Sequence, residues 1–134
     1  MMNRVMMLVG AAAVALTAGQ AMADGDAAKG EKVFRKCAAC HAVGEGAKNK
    51  IGPELNGIVG RKVASVEDYK YSKAMTSFGE EHPEWTDELL HSYLEKPRNV
   101  VKGTKMAFAG LRKESERDDV IAYLEKFNAD GTAK

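Results

Sequence analysis

Cys37-Ala38-Ala39-Cys40-His41 is the stretch of this sequence that most restricts its fold and chemistry, and it contains both cysteines of the chain. A CxxC spacing occurs in redox disulfides, half zinc sites, structural disulfides and haem-attachment sites. A thioredoxin-like redox site accompanies a βαβ pattern, which this sequence lacks. A structural zinc site needs four ligands, and the spacing of His82 and His91 completes none. A disulfide over so short a loop would constrain little of the unfolded chain.

The histidine that directly follows the second cysteine favours haem attachment. Two thiols at this spacing can add to the two vinyl groups along one edge of a porphyrin, and the next residue then places its imidazole under the iron. Covalent attachment also prevents loss of the cofactor from a protein that is exported from the cytoplasm. The sequence therefore predicts one haem c bound through Cys37 and Cys40, with His41 as an iron ligand.

The second iron ligand is less constrained by the sequence. Five of the seven methionines lie in the first 23 residues, which leaves Met75 and Met106. Met106 lies in a glycine-containing stretch that can wrap around a haem, whereas Met75 lies in a predicted short helix, where methionine usually serves packing. His82 and His91 are the other neutral candidates. The spacing favours Met106 and leaves the alternatives open. A thioether ligand raises the reduction potential, which suits a carrier of single electrons.

The N-terminus has the pattern of a secretory signal peptide. Asn3 and Arg4 precede an uncharged apolar run, Val5 to Ala18, and Ala21-Met22-Ala23 supplies small residues for cleavage. The run is shorter than the ~20 residues that span a bilayer. We expect residues 1–23 to be a cleaved signal peptide and residues 24–134 to form a single soluble domain in the periplasm.

Charge is balanced but unevenly placed. Removal of residues 1–23 takes away Arg4 and no acidic residue, so 19 basic and 19 acidic residues remain. Six basic residues and no acidic one lie from Lys96 to Lys113, and five acidic residues and no basic one lie from Glu80 to Glu88. A nucleic-acid binder more often has a clear excess of positive charge, so no nucleic-acid partner is expected.

Apolar spacing and capping residues predict an all-α fold with about four or five helices, long loops and little or no sheet. Five glycines and Pro53 make residues 42–60 a long irregular loop. The predicted helices are Asp26 to Cys37, Tyr71 to Ser77, one capped by Thr86 and ending before Pro97, a short one opening at Pro97, and one from a capping box of Ser115 and Asp118 to about Phe127.

From Gly25 to about Asn128 the chain resembles class I cytochrome c, nearest the mitochondrial form and the bacterial cytochrome c2 type. The resemblance rests on motifs that occur in family order: Gly25 to Gly30, Cys37 to His41, Gly52-Pro53, Gly60-Arg61-Lys62, Tyr71, Trp85, Tyr93-Leu94, Pro97, Gly103 to Met106, Phe108-Ala109-Gly110 and Ile121 to Leu124. It implies the small cytochrome c fold wrapped around one haem, Met106 as the distal iron ligand, and electron transfer rather than enzymatic catalysis.

The resemblance also implies further side chains around the haem. The Pro53 carbonyl would accept a hydrogen bond from His41 and fix the imidazole ring. Gly30 and Tyr123 match the positions where the first and last helices of the family cross. The other expected cofactor-binding residues are Arg61, Tyr71 and Trp85 near the haem propionates, and Tyr93 and Thr104 near the methionine.

By the same resemblance, a basic face would steer this monomeric carrier onto membrane redox complexes. A cytochrome bc complex would donate the electron, and a terminal oxidase or photosynthetic reaction centre would accept it. The expected docking residues are Lys36, Lys48, Lys50, Arg98, Lys105, Arg112 and Lys113. Two rival hypotheses remain: a haem enzyme such as a peroxidase, which needs an open sixth iron site, and a periplasmic thiol-disulfide protein.

Overall fold

The computed structural model describes Gly10 and residues 25–134. The predicted signal peptide therefore lies, apart from Gly10, outside the described residues. Five helices occur in the described part: α1 (Ala27–Phe34), α2 (Lys73–Glu81), α3 (Asp87–Glu95), α4 (Pro97–Val100) and α5 (Glu114–Leu124). Within residues 25–134, β-structure is limited to two isolated bridges, Lys62 with Glu84 and Phe127 with Ala133. The all-α prediction is confirmed, and none of the described helices is long and apolar enough to cross a membrane.

Short polar side chains fix where the first three helices begin. The Asp26 carboxylate accepts from the backbone N–H groups of the first turn of α1, and the Thr86 hydroxyl accepts from Leu89 in α3, as predicted. The Ser72 hydroxyl caps α2 in the same way. α2 therefore begins two residues later than predicted and continues to Glu81. Pro97 opens α4, as predicted.

Predicted helix boundaries are wrong at both ends of α5 and at the end of α1. α5 begins at Glu114, and Lys113 occupies the N-cap position without a side-chain hydrogen bond. Ser115 lies inside the first turn, and the Asp118 carboxylate contacts His91 instead of closing a capping box. α5 also ends at Leu124 rather than near Phe127, and α1 ends at Phe34 rather than Cys37. Beyond both ends the chain continues as hydrogen-bonded turns.

The crossing of α1 and α5 is the main helix contact of the fold. A Cβ atom on Gly30 would collide with the Asp119 carbonyl and with Tyr123, so only glycine allows this approach. The Phe34 and Tyr123 rings pack 5.5 Å apart beside the crossing. Because α1 leads directly into Cys37, the crossing positions the cysteine pair relative to the core.

The long loop over residues 42–60 is irregular but firmly held. Asn56 is 5% exposed, and its side-chain amide accepts from the Gly44 N–H at 2.8 Å and donates to the Gly44 carbonyl at 3.0 Å. Gly131 of the C-terminal segment, at a φ of +87°, lies so close to the same Gly44 carbonyl that an added Cβ atom would collide with it. The loop is therefore fixed by the buried Asn56 amide and by close packing against the C-terminal segment.

Candidate functional site

The turns that follow α1 bring both cysteines and the adjacent histidine together. The Cys37 N–H bonds to the Phe34 carbonyl at 2.7 Å, and the N–H groups of Cys40 and His41 both bond to the Cys37 carbonyl, at 3.1 and 2.9 Å. Both cysteine side chains are half-buried. One compact turn thus presents two sulfur atoms and an imidazole.

The Cys37 thiol is not tuned for disulfide exchange. Burial raises its pKa to about 11, and the neighbouring Lys36 charge opposes that rise only in part. Thiol-disulfide exchange proceeds through the thiolate, which is scarce at neutral pH in a thiol of this kind. This environment argues against the thiol-disulfide hypothesis.

His41 is held as a neutral ring with one nitrogen available to a metal. Its Nδ1 lies 2.7 Å from the Pro53 carbonyl oxygen. A carbonyl only accepts hydrogen bonds, so Nδ1 carries the proton and the Nε2 lone pair is left for a ligand. Burial lowers the pKa of His41 despite the opposing Pro53 bond, which favours the neutral form that metals bind.

The glycine before Pro53 closes this side of the site. A Cβ atom on Gly52 would fall onto the His41 ring, and the Gly52 N–H donates to the Cys40 carbonyl at 2.8 Å. The loop backbone therefore lies directly against the imidazole.

Met106 is positioned by two side-chain contacts. The Tyr93 hydroxyl donates to Met106 Sδ at 3.2 Å, and the Met106 N–H donates to the Thr104 hydroxyl at 3.2 Å. Burial raises the pKa of Tyr93, with its hydrogen bond to Thr104 acting in the opposite direction. The phenol is therefore protonated at neutral pH and able to donate.

Arg61 has a donor left over for an anionic group. Its Nη1 donates to the carbonyls of Glu54 and Asn56 at 2.9 and 3.1 Å and lies 3.4 Å from Glu54 Oε1. Its Nε is buried and has no hydrogen-bond partner among the described residues. A buried N–H without a partner is costly, and a carboxylate such as a haem propionate would satisfy it. Tyr71 lies within hydrogen-bonding reach of this guanidinium.

The expected site residues form one group around His41 and another around Met106. Trp85 contacts a residue of each group. The backbone N–H of Trp85 donates to the Arg61 carbonyl at 2.9 Å. The centre of the Trp85 ring lies 4.9 Å from that of the Tyr93 ring. Sequence reasoning missed Glu54 and Asn56, which hold Arg61. The only sequence signal for Glu54 was an acidic residue seven positions before a basic one.

These groups together fit an iron porphyrin better than a bare metal ion. No cluster of three or more His, Cys, Asp or Glu side chains able to hold a metal was found in the described part of the chain. What the chain offers is two thiols for covalent attachment, a neutral imidazole, a thioether and a buried guanidinium. That donor set matches the attachment, axial ligation and propionate contacts of a c-type haem.

Comparisons with known proteins agree with this chemistry. The family model described as Cytochrome c matches residues 27–128. The chain is 57% identical over 105 residues to cytochrome c-550 of Ancylobacter novellus, covering 78% of this chain and 98% of that protein. It is 56% identical over 104 residues to cytochrome c2 of Afifella marina, covering 78% and 84%. The solved structure of cytochrome c2 from Rhodospirillum centenum is 42% identical, with a TM-score of 0.72, and the match covers 78% of this chain and 99% of that one.

These identities extend over most of each relative, and they confirm the family and fold that the sequence motifs predicted. The two cysteines have the spacing of a haem-attachment motif. The chain therefore belongs to the cytochrome c family, an electron carrier rather than an enzyme, and it holds one haem c covalently through Cys37 and Cys40.

Proposed function

We propose that this chain is a soluble periplasmic one-electron carrier whose haem iron is bound by His41 and Met106. The observation that carries the proposal is the hydrogen bond from the Tyr93 hydroxyl to Met106 Sδ. A buried phenol aimed at a thioether orients that sulfur, which is the task of a residue that supports a metal ligand. His41, with Nδ1 engaged and Nε2 available, would supply the other iron ligand.

The other candidate ligands are engaged elsewhere. His91 lies between two carboxylates, Asp87 and Asp118. His82 is exposed and stacks on the Phe78 ring at 4.4 Å. Met75 and Met106 both pack against the hydrophobic core, but within residues 25–134 only the Met106 sulfur accepts a hydrogen bond. These contacts support Met106 as the methionine ligand.

When bound, haem c supplies an iron that gains and loses one electron reversibly. The chain's own residues hold and insulate it. Pro53 fixes the orientation of the His41 ring and increases its basicity as a ligand, and Tyr93 restrains the Met106 sulfur. The buried rings of Trp85 and Tyr93 exclude water from this side of the site. Ligands that stay in place leave little to rearrange when an electron arrives or departs.

Arg61, Tyr71 and Trp85 are proposed to serve the haem propionates. The free Nε of Arg61 is the main support, because it is a buried donor with no partner among the described residues. Tyr71 uses its hydroxyl oxygen to accept from the Val66 N–H at 3.1 Å, which leaves its own proton for another acceptor. Trp85 anchors Arg61 through the backbone.

Docking is proposed to use a basic face and to be brief. All seven expected docking residues are exposed: Lys36, Lys48, Lys50, Arg98, Lys105, Arg112 and Lys113. Ile51, which is 78% exposed, lies next to Lys50 and would add a short-range apolar contact. The proposed partners are a cytochrome bc complex as donor and a terminal oxidase or photosynthetic reaction centre as acceptor. Such redox contacts are small and transient.

Visible and near-infrared spectra of the purified protein, oxidised and reduced, test the ligation. Sharp ferrous α and β bands with a weak ferric band near ~695 nm are expected for His–Met ligation. The intact mass of the same sample should correspond to a polypeptide that begins at Asp24 and carries one haem.

Three results would contradict the proposal. Low-spin haem without the ~695 nm band would mean that a nitrogen ligand, rather than Met106, binds the iron. A high-spin spectrum with rapid cyanide binding would favour the haem-enzyme hypothesis. A mass that retains residues 1–23 would exclude signal cleavage.

A further inference from the structure

One histidine nitrogen connects two helices through two carboxylates. His91 lies on α3, and its Nε2 is 3.3 Å from Asp87 Oδ1, one turn earlier on the same helix. The same nitrogen is 3.2 Å from Asp118 Oδ1 on α5. The His91 side chain is 25% exposed, so the contact is partly shielded from water. These three residues are called the α3–α5 tie.

The surroundings of the tie are rich in negative charge. Glu125, at the C-terminal end of α5, has its pKa raised by burial first and then by the charge of Asp87, while Lys134 acts in the opposite direction. No Lys or Arg among the described residues forms an ion pair with Asp87 or Asp118. His91 is therefore the group placed to offset their charge.

The protonation state of His91 decides what the tie can do. A neutral imidazole has one N–H and one lone pair, so at best a single shared hydrogen bond reaches the two carboxylates. If the lone pair is on Nε2, it faces both carboxylates and repels them. A protonated imidazole always donates from Nε2, and its positive charge attracts both carboxylates, so the hydrogen bond becomes an ion pair.

We propose that His91 is a proton-dependent tie between α3 and α5, which strengthens when the imidazole binds a proton and weakens when it loses one. An ordinary histidine changes charge between pH 5 and 8, while ordinary aspartates stay charged above about pH 4. The extra stability is thus present in mildly acidic solution and is lost as the pH rises. The proposal holds whichever residue other than His91 is the second iron ligand.

A double-mutant cycle on the haem-containing protein tests the tie. His91→Gln, Asp118→Asn and the double variant are unfolded by denaturant at pH 5.5 and at pH 8.5, together with the parent protein. The cycle isolates the coupling between the two side chains. We expect the pairing to change the unfolding equilibrium constant about 1.5-fold to fivefold at pH 5.5, and by a clearly smaller factor at pH 8.5.

The same substitution elsewhere is the control. His82→Gln changes an exposed histidine that forms no ion pair among the described residues, and its effect should not depend on pH. If Asp118→Asn does not fold, Asp87→Asn takes its place in the cycle. A coupling of equal size at both pH values would make the contact an ordinary hydrogen bond and overturn the proposal. Absence of coupling at pH 5.5 would overturn it as well.

Discussion

The two sides of the haem site are built differently. On the histidine side, residues 37–61, the backbone holds His41: the His41 N–H donates to the Cys37 carbonyl, its ring Nδ1 donates to the Pro53 carbonyl, and the Gly52 N–H donates to the Cys40 carbonyl. On the methionine side, residues 101–111, Met106 is held by the hydroxyls of Tyr93 and Thr104. Met106 itself rests on two side-chain hydroxyls, and the backbone bonds of its segment, Thr104 to Val101 and Leu111 to Leu94, lie toward the two ends.

If His41 and Met106 bind the iron as proposed, this difference indicates which of the two detaches first. Freeing His41 requires the attachment turn and the Gly52-Pro53 loop to open together, whereas freeing Met106 requires the loss of two hydroxyl contacts. Local openings start where few buried contacts hold a segment. We therefore expect the methionine side to open at a lower free energy than the histidine side.

The largest expected effect comes from Gly52→Ala. The added methyl group would fall onto the His41 ring, and the ring cannot move away without losing its bond to Pro53. Overpacking of this kind costs about 1–3 kcal/mol. Denaturant unfolding of the haem-containing variant should show a loss of at least this size, with a lower yield of protein that carries haem.

Gly44→Ala separates the collision from backbone strain. Gly44 has a φ of +103°, and a Cβ atom added there would meet nothing within 4 Å. Alanine at this position therefore suffers the unfavourable φ alone, a cost of about 1–2 kcal/mol. If Gly52→Ala were as stable as the parent protein, the His41 ring would have room to shift. The histidine side would then not be the rigid one.

Sequence reasoning succeeded where a signal is local. The attachment motif, the Thr86 cap and the proline that opens α4 each depend on a few neighbouring residues, so they were predicted correctly. The family resemblance, rather than periodicity, led to the expectation that Tyr93 and Thr104 lie near Met106. The structure gives the contacts among these three residues.

Sequence reasoning failed where a distant partner decides. Ser115 and Asp118 have the spacing of a capping box, but Asp118 is engaged by His91 from another helix. Asn56 pairs with Gly44 across 12 residues of loop, and no periodicity announces such a contact. Glu54 was missed for a similar reason, since its role depends on where the loop brings Arg61.

A smaller effect is expected from Tyr93→Phe, which tests the methionine side. The change keeps the buried ring and removes the donor to Met106 Sδ. One lost hydrogen bond is worth about 0.5–1.5 kcal/mol, so the ~695 nm band should disappear at lower denaturant concentration than in the parent protein. His41 ligation should persist after the band is lost.

Tyr69→Phe is the matched control, because the Tyr69 hydroxyl donates to the Ile51 carbonyl at 2.7 Å on the histidine side. The chemical change is the same, but loss of the ~695 nm band should occur at the parent concentration. Equal shifts in the two variants would mean that both sides open together, and the proposed difference between them would be wrong.

The smallest effect is expected from single lysines, one on each side. The Lys50 ammonium lies 3.1 Å from the Ala38 carbonyl, and the Lys105 ammonium lies 3.4 Å from the Lys70 carbonyl. If docking spans both sides, Lys50→Gln and Lys105→Gln should each slow reduction by a cytochrome bc complex about twofold to fivefold at low salt. Near 1 M salt, where the screening length falls to about 3 Å, both effects should vanish.

Lys29→Gln, on the exposed surface of α1 and outside the proposed docking set, should leave the rate unchanged at every ionic strength. If only one of the two docking variants slows the reaction, the partner contacts one side of the haem site rather than both. A slow rate that persists at high salt would point to a structural defect instead of lost steering, since steering acts through a screened field. The salt series thus decides whether two sides that hold their ligands so differently present one continuous docking face.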